Sequence, residues 1–205
     1  MGLASYLKRT ALGRYVKRLV RRESNPPPAP LLRMLRKLDP FEQPSSPVIP
    51  EPYRLVRYEP GDEVPWVDLL SASGEFGRWT RDRLEKEMLS TLLPDGGVFV
   101  LRGDQRVGCA SACLMEAYRP NAVLMYVTVL PEHRGRGLGQ ALVLETMRVA
   151  QRKRFPGLLL HTEKHRLAAV RTYIQLGFLP EFGTDVAGKQ VWSDVLSRAL
   201  PQGRD

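Results

Sequence analysis

The sequence predicts an α/β domain built on a mixed β-sheet, with a basic N-terminal extension and a C-terminal helix. Two stretches carry this prediction. An apolar run over 122–129 leads through a glycine-rich loop into 140–154, a helical segment without glycine or proline. A second short apolar run, 157–162, precedes a segment with apolar residues at helical spacing, 165–178. Hydrophobic residues make up 43% of the chain, which is enough for a core.

The other elements follow from local patterns along residues 51–205, which we predict to be one domain. The predicted strands are 53–58, 98–101, 107–115, 122–129, 157–162 and 179–182. The predicted helices are 63–71, 80–93, 140–154, one within 165–178 that Gly177 ends, and 190–200. Thr80 or Asp82 is the expected cap of the second helix. Residues 94–97 predict a turn, and residues 103–104 predict a hairpin between two strands.

Residues 1–50 are predicted to be an extension and a linker. Nine of the 17 prolines fall between Pro26 and Pro52, which indicates a stiff linker with a domain boundary near residue 50. Within it, 31–38 predicts a possible short helix. Residues 3–22 predict a basic amphipathic helix. Two interpretations of residues 1–22 are open: contact with an anionic membrane surface or an acidic partner, and a partly ordered tail with a solvated charged face.

The net charge of +9 is concentrated in this N-terminal part. Residues 1–38 hold ten Lys or Arg and one Glu, whereas the other 167 residues hold 21 basic and 21 acidic side chains. The folded part is therefore charge-balanced, and a nucleic-acid-binding surface is not indicated there.

The cysteine pattern indicates the compartment. Cys109 and Cys113 lie four residues apart in a predicted strand, too far apart for a disulfide. Reduced cysteines favour a cytoplasmic protein. The alternative is a mitochondrial protein, if the source is eukaryotic and residues 1–22 act as a presequence.

The loop after 122–129 has the features of a phosphate-binding site. Its three glycines let the backbone approach a ligand without a Cβ atom in the way. The N–H groups at the start of the following helix favour an anion, and two arginines add positive charge. The P-loop and dinucleotide motifs do not fit, because Gln140 stands where each needs another residue type. The loop residues are Arg134, Gly135, Arg136, Gly137, Leu138, Gly139 and Gln140.

Two motifs, in this order, resemble the GNAT N-acetyltransferase superfamily. The first, R-x-x-G-x-G, is formed by Arg134, Gly137 and Gly139 just after a V-x-P strand end, and it resembles the acyl-CoA pyrophosphate loop of that family. The second is A-x-x-x-Y-x-x-x-G-F on the later helix. Its residues are Ala169, Tyr173, Gly177 and Phe178. At the start of that helix this chain has Arg166, where many members have Asn.

The resemblance implies a GNAT fold, its strand order, and acetyl-CoA as co-substrate. The strand edge at Val127 and Val129 would pair with the pantetheine amides, and the Val129 N–H would face the thioester oxygen. Tyr173 matches the general acid of the family. The implied acetyl-CoA-binding residues are Val127, Val129, Arg134, Gly135, Arg136, Gly137, Leu138, Gly139, Gln140 and Arg166.

The general base is not evident from the sequence. Glu116, at the end of a predicted strand, is the first candidate; the alternatives are Glu75, Glu132, Glu163 and solvent. His161 and His165 flank Glu163, but we expect no metal site, because strand alternation puts His161 and Thr162 on opposite faces.

The resemblance implies a function as well as a fold. An acetyl group would pass from acetyl-CoA to an amine by direct transfer in a ternary complex. The acceptor would be a small-molecule amine or a protein amine. The alternative is a module of the same fold that binds acyl-CoA without turnover and serves as an adaptor through its basic N-terminal segment.

Overall fold

A computed structural model describes residues 31–39, 45–181 and 186–200, with the backbone alone for 186–188. The helix predicted at 3–22 lies outside these residues and stays a prediction. The strands are β1 (Leu32–Lys37), β2 (Tyr53–Arg57), β3 (Leu92–Arg102), β4 (Gln105–Cys113), β5 (Ala122–Val129), β6 (Gly157–Thr162) and β7 (Leu179–Pro180). The α-helices are α1 (Glu63–Ala72), α2 (Arg81–Glu87), α3 (Leu138–Arg152), α4 (Leu167–Gln175) and α5 (Val186–Ala199).

All seven strands form one sheet in the order β2-β3-β4-β5-β6-β1-β7. Neighbouring strands run antiparallel except β5 and β6, which are parallel. The predicted mixed α/β sheet is therefore confirmed, and so is the closing helix, α5. The bounds of β5 and β6 coincide with the two apolar runs of the sequence.

The prediction of a short helix at 31–38 is wrong, because most of this segment is β1. It lies between β6 and β7, pairing with β6 from Leu32↔Thr162 to Lys37↔Gly157. Leu32 and Met34 are buried on alternate positions, as a strand requires. A domain that began near residue 50, as the sequence predicts, would lack this strand.

The junction between α2 and β3 also differs from the prediction. The helix ends at Glu87 because Met88 leaves the helical region, with φ −132° and ψ −61°. The predicted turn at 94–97 instead lies inside β3, where the register against β4 shifts between Leu92 and Gly97. A Cβ at Gly97 would lie 2.6 Å from the Tyr58 Cβ, so this close approach requires glycine.

Helix α3 packs on β3, β4 and β5 and so fixes the helix start relative to the end of β5. Its buried side chains include Leu138, Leu142 and Val149. Cys109 and Cys113 are both free and buried, as predicted, and burial raises the pKa of each thiol to about 12. Among the described residues, no helix is long and apolar enough to cross a membrane.

Candidate active site

The candidate site lies where β5 and β6 stop pairing. Their parallel ladder covers three pairs only, from Ala122↔Leu158 to Leu124↔Leu160. Immediately beyond it, Tyr126 adopts a positive φ of 54°, and the register of β5 against β4 shifts. This is a β-bulge, which bends the strand and opens a gap towards β6.

Buried contacts hold Tyr126 in this unusual conformation. The side chain is only 2% exposed, and its ring meets the Trp79 ring edge-on at 4.8 Å between centroids. Its hydroxyl donates to Glu87 Oε2 at 3.4 Å. Strain at a positive φ costs about 1–3 kcal/mol and persists only where the surroundings fix it. The gap is therefore a built feature of the sheet.

The edge of β5 beyond the bulge faces this gap. Leu130 N–H donates to the Val107 carbonyl of β4 at 2.8 Å, so alternation turns the backbone groups of Val129 away from β4. Accordingly, the Val129 carbonyl accepts a hydrogen bond from Arg134 Nε at 2.8 Å. Val127 lies two residues earlier on β5. The strand edge predicted for pantetheine is thus placed at the gap.

The glycine loop follows directly on β5. Gly135 and Gly137 have φ of +75° and +77°, and Gly137 is the N-cap of α3. A Cβ at Gly135, Gly137 or Gly139 would meet nothing within 4 Å, so each glycine borders open space. His133 anchors the start of the loop, because its Nδ1 lies 3.0 Å from the hydroxyl of buried Tyr53. The open cradle beside the helix start fits a phosphate group.

A cavity of about 730 Å³ joins the loop, the gap and α4. Six predicted binding or catalytic residues line it: Val127, Val129, Arg134, Gly139, Arg166 and Tyr173. The other lining residues are Gly74, Glu75, Thr128, Val143, Glu163, His165, Leu167, Ala168, Ala169 and Thr172. A small recess continues from this cavity into the gap, where His161 joins Val127, Arg166 and Tyr173 in its wall.

Tyr173 is held at the cavity wall by the end of α4. Gly177 has φ +79°, and the N–H of Phe178 donates to the Tyr173 carbonyl at 2.9 Å while the N–H of Gly177 donates to Ile174. This is a Schellman motif, and the ring contact between Tyr173 and Phe178 completes it. Tyr173 is 5% exposed, and burial raises the pKa of its phenol, an effect that nearby Arg166 opposes. The phenol is therefore a protonated donor at neutral pH.

A carboxylate from the loop between α1 and α2 crosses the same cavity. Glu75 Oε1 lies 2.8 Å from Arg134 Nη2, and Glu75 Oε2 lies 2.6 Å from Arg166 Nη2. The sequence analysis named Glu75 only as one candidate base among several. No local signal links it to either arginine, because 59 and 91 residues separate it from them.

Several predicted residues lie apart from the cavity. The Leu138 side chain is 1% exposed and packs in the core, so only its backbone can serve the loop. Arg136 and Gln140 are exposed and are not among the residues that line the cavity. Glu116 is not among the lining residues; its side chain is 76% exposed and lies 2.8 Å from Arg119 Nε. The structure thus gives Glu116 no position for acting as the base.

No cluster for a metal ion is found within the described part of the chain. Of the three side chains that the sequence analysis considered, Glu163 and His165 are paired with each other in the structure: His165 Nε2 lies 3.2 Å from Glu163 Oε2. His161 points into the small recess instead.

The fold and the loop define the class of protein. A model of the acetyltransferase (GNAT) family matches residues 64–178, more than half of the chain. The chain therefore belongs to the GNAT acetyltransferase family, as the two sequence motifs predicted.

Among curated proteins, the chain is similar to the mycothiol acetyltransferase of Thermobispora bispora. The two are 32% identical over 143 residues, which is 65% of this chain and 48% of the relative. Two other curated relatives of the same name, those of Acidothermus cellulolyticus and Rhodococcus jostii, are 28% and 29% identical; the matches cover 76% and 77% of this chain and 53% and 55% of the relatives. The chain spans about half the length of the curated relatives it matches.

Solved structures show the same fold. A GCN5-related N-acetyltransferase from Sphaerobacter thermophilus has a TM-score of 0.64 at 21% identity, covering 74% of this chain and 48% of that one. The diaminobutyrate acetyltransferase of Paenibacillus lautus, solved with its substrate and coenzyme A, has a TM-score of 0.51 at 16% identity. That match covers 60% of this chain and 74% of the other.

Proposed function

We propose that the protein is an N-acetyltransferase that moves an acetyl group from acetyl-CoA to an amine by direct transfer in a ternary complex. The observation that carries this proposal is the cavity at the gap between β5 and β6. Its wall includes Arg134 and Gly139 of the glycine loop, the strand residues Val127 and Val129, and Tyr173. Family membership and the names of the curated relatives support the same chemistry.

The residues present fit acetyl-CoA. The open space beside the loop glycines and the start of α3 suit a pyrophosphate, and Arg134 adds a guanidinium at the same loop. The edge of β5 from Val127 to Val129 offers backbone groups for pantetheine amides. The cavity of about 730 Å³ is within the usual range for a ligand of this size.

Acetyl transfer requires three further contributions: stabilisation of the acyl oxygen, a proton for the sulfur, and an acceptor for the amine proton. The amine nitrogen forms a bond to the acyl carbon, the C–S bond breaks, and the amine gives up a proton. In this proposal the Val129 N–H stabilises the charge that develops on the acyl oxygen. Tyr173, whose phenol burial keeps protonated at neutral pH, supplies a proton to the departing sulfur and regains one from solvent. Solvent or a cavity carboxylate, Glu75 or Glu163, takes the proton of the amine.

For the acceptor we propose a small-molecule amine. Support comes from the names of the curated relatives and from the substrate-bound diaminobutyrate acetyltransferase, both of which concern small molecules. A protein amine is the alternative acceptor. The other alternative, an adaptor that binds acyl-CoA without turnover, predicts neither free thiol nor an acetylated amine.

The test is a panel of small amines and of peptides with free N-termini or lysines, incubated with acetyl-CoA. Free thiol measures turnover, and mass spectrometry of the products identifies the acetylated amine. We expect thiol release that depends on an added amine. Acetyl-CoA binding by calorimetry, with no thiol release above background for any acceptor, would instead favour the adaptor. The Gly137→Asp variant serves as the control without a functional loop.

A further inference from the structure

Glu75 forms ion pairs with the two arginines that an anionic ligand would be expected to bind. Each of its carboxylate oxygens pairs with a different guanidinium, Arg134 at 2.8 Å and Arg166 at 2.6 Å. Arg134 begins the glycine loop, and Arg166 is the N-cap residue of α4 on the opposite wall. Through these two contacts, the carboxylate connects both walls of the cavity.

Contacts of a buried arginine hold the loop that carries Glu75. Buried Arg83 donates from Nη1 to the carbonyls of Phe76 at 3.1 Å and Arg78 at 2.7 Å, and from Nε to Glu87 at 3.2 Å. Its guanidinium also lies 3.9 Å from the centroid of the Trp79 ring. Because Arg83 is only 9% exposed, the loop is held by a buried network. The position of Glu75 is thus set by the fold.

Carboxylates and phosphates bind guanidinium groups with the same hydrogen-bond geometry, and a phosphate group brings at least as much charge. An anion placed at the glycine loop therefore competes with Glu75 for Arg134. Without any anion, two guanidinium groups facing one cavity would repel each other, and a carboxylate between them keeps both aligned.

We propose that Glu75 is an internal anion that holds Arg134 and Arg166 in the free protein and that the phosphate groups of acyl-CoA displace. This inference rests on the proposed function, since it takes acyl-CoA as the ligand of the loop. It assigns Glu75 a positioning and competing role that is distinct from proton transfer. It also gives Arg166 a partner in the free protein.

The test measures binding by calorimetry with three probes: acetyl-CoA, inorganic pyrophosphate, and S-acetyl-pantetheine, which has no phosphate. Glu75→Gln should bind acetyl-CoA and pyrophosphate roughly 3- to 10-fold more tightly than the wild type, since partly exposed ion pairs of this kind are worth little more. Affinity for S-acetyl-pantetheine should not change. The gain should shrink at high salt, which screens the competing ion pairs.

Two matched variants separate displacement from a simple change in net charge. Glu163→Gln removes a carboxylate from the same cavity wall, one that pairs with His165 and with neither arginine, and it should change acetyl-CoA affinity by less than about 2-fold. Glu75→Asp keeps the charge but shortens the reach to both arginines, so acetyl-CoA should bind more tightly than to the wild type.

The outcomes distinguish this inference from the proposed function. Equal or weaker acetyl-CoA binding in Glu75→Gln, an equal gain in Glu163→Gln, or an equal gain for S-acetyl-pantetheine would each overturn the inference alone. Tighter pyrophosphate and acetyl-CoA binding without turnover by the wild type would support the inference and overturn the enzymatic proposal. A wild-type protein that binds neither acetyl-CoA nor pyrophosphate would overturn both.

Discussion

The sheet has two halves that are assembled in different ways. In the first, β2 to β5, each strand lies beside the next one in sequence, and every pair is antiparallel. We call this the sequential half. In the second, the neighbours are β6, β1 and β7, so the central strand of the three comes from the opposite end of the described chain. We call this the composite half.

The candidate site lies at the seam between these halves. Only three residue pairs join β5 to β6, and the cavity opens where that ladder ends. The sequential half supplies the strand edge, the bulge at Tyr126 and the glycine loop, whereas α4, which follows β6, supplies Arg166 and Tyr173. A short ladder is what leaves backbone groups of β5 available to a ligand. Ligand binding at this site therefore requires that the composite half stay in place and that the rest of the β5 edge stay unpaired with β6.

The largest effect is expected from removing β1 from the composite half. A chain that lacks residues 1–38 loses buried Leu32, Met34 and Leu38, and each such side chain is worth about 2–5 kcal/mol. The sum is comparable with the whole stability of an ordinary domain, about 5–15 kcal/mol. We expect no cooperative thermal unfolding transition, measured by circular dichroism.

The matched control for this deletion begins at residue 31. It also lacks the basic N-terminal segment but keeps β1 and should unfold cooperatively. If the chain without residues 1–38 melted like this control, β1 would be dispensable and the domain boundary near residue 50, predicted from the sequence, would be correct.

The next effect concerns the loop that the sequential half contributes. Gly137→Asp places a side chain and a negative charge where the loop borders open space, so acetyl-CoA affinity should fall roughly 100-fold or more, since each charge-assisted hydrogen bond lost costs about 1.5–3 kcal/mol. Gly103→Asp is the control, because Gly103 also has a positive φ and open surroundings but lies in the hairpin between β3 and β4. Both variants should lose a similar small amount of stability. If calorimetry gave equal acetyl-CoA affinities for both variants, the ligand would not bind at this loop.

A third prediction tests the side of the seam formed by α4. Tyr173→Phe keeps the buried ring and removes only the hydroxyl, so kcat and kcat/KM should fall together, roughly 100-fold, with KM for acetyl-CoA near its wild-type value. Because burial raises the pKa of Tyr173 above its ordinary 10.0, the wild-type enzyme should show no loss of kcat from this group up to that pH. An unchanged kcat in the variant, where chemistry limits the rate, would leave Tyr173 a packing residue.

Local and long-range features of the structure differ in how well the sequence predicts them. Features set by neighbours along the chain were predictable: the strand bounds of β5 and β6, the hairpin at 103–104, and the helix end at Gly177. Each depends on a local rule, such as an apolar run between breaking residues or a left-handed position that favours glycine.

The features that the sequence did not predict depend on contacts between distant segments. The run of β1 mixes leucine with arginine at spacings that also suit a helix, and only pairing with β6 decides in favour of the strand. The bulge at Tyr126 has no sequence signal, because buried contacts from Trp79 and Glu87 impose the positive φ. Glu75 reaches its arginines across 59 and 91 residues, beyond any periodicity.

The smallest effect is an acid sensitivity that we expect to arise in the composite half. His161 of β6 lies beside Arg33 of β1 in register, and its ring meets Tyr118 edge-on at 5.4 Å. Burial, followed by the nearby charge of Arg33, lowers the pKa of this imidazole from 6.5 to about 4. Between these two values the unfolded chain binds a proton that the folded protein does not. The free energy of unfolding should therefore fall as the pH drops from about 6.5 to 4.

At about 1.4 kcal/mol per pH unit, that interval sets an upper bound of about 3 kcal/mol, and partial exposure of the ring reduces it to about 1–2 kcal/mol. His161→Gln should flatten this part of the pH dependence, measured by urea unfolding at several pH values. His165→Gln, which alters an exposed ring beside Glu163, should not. A pH dependence that stays unchanged in His161→Gln would show that another group causes the acid sensitivity.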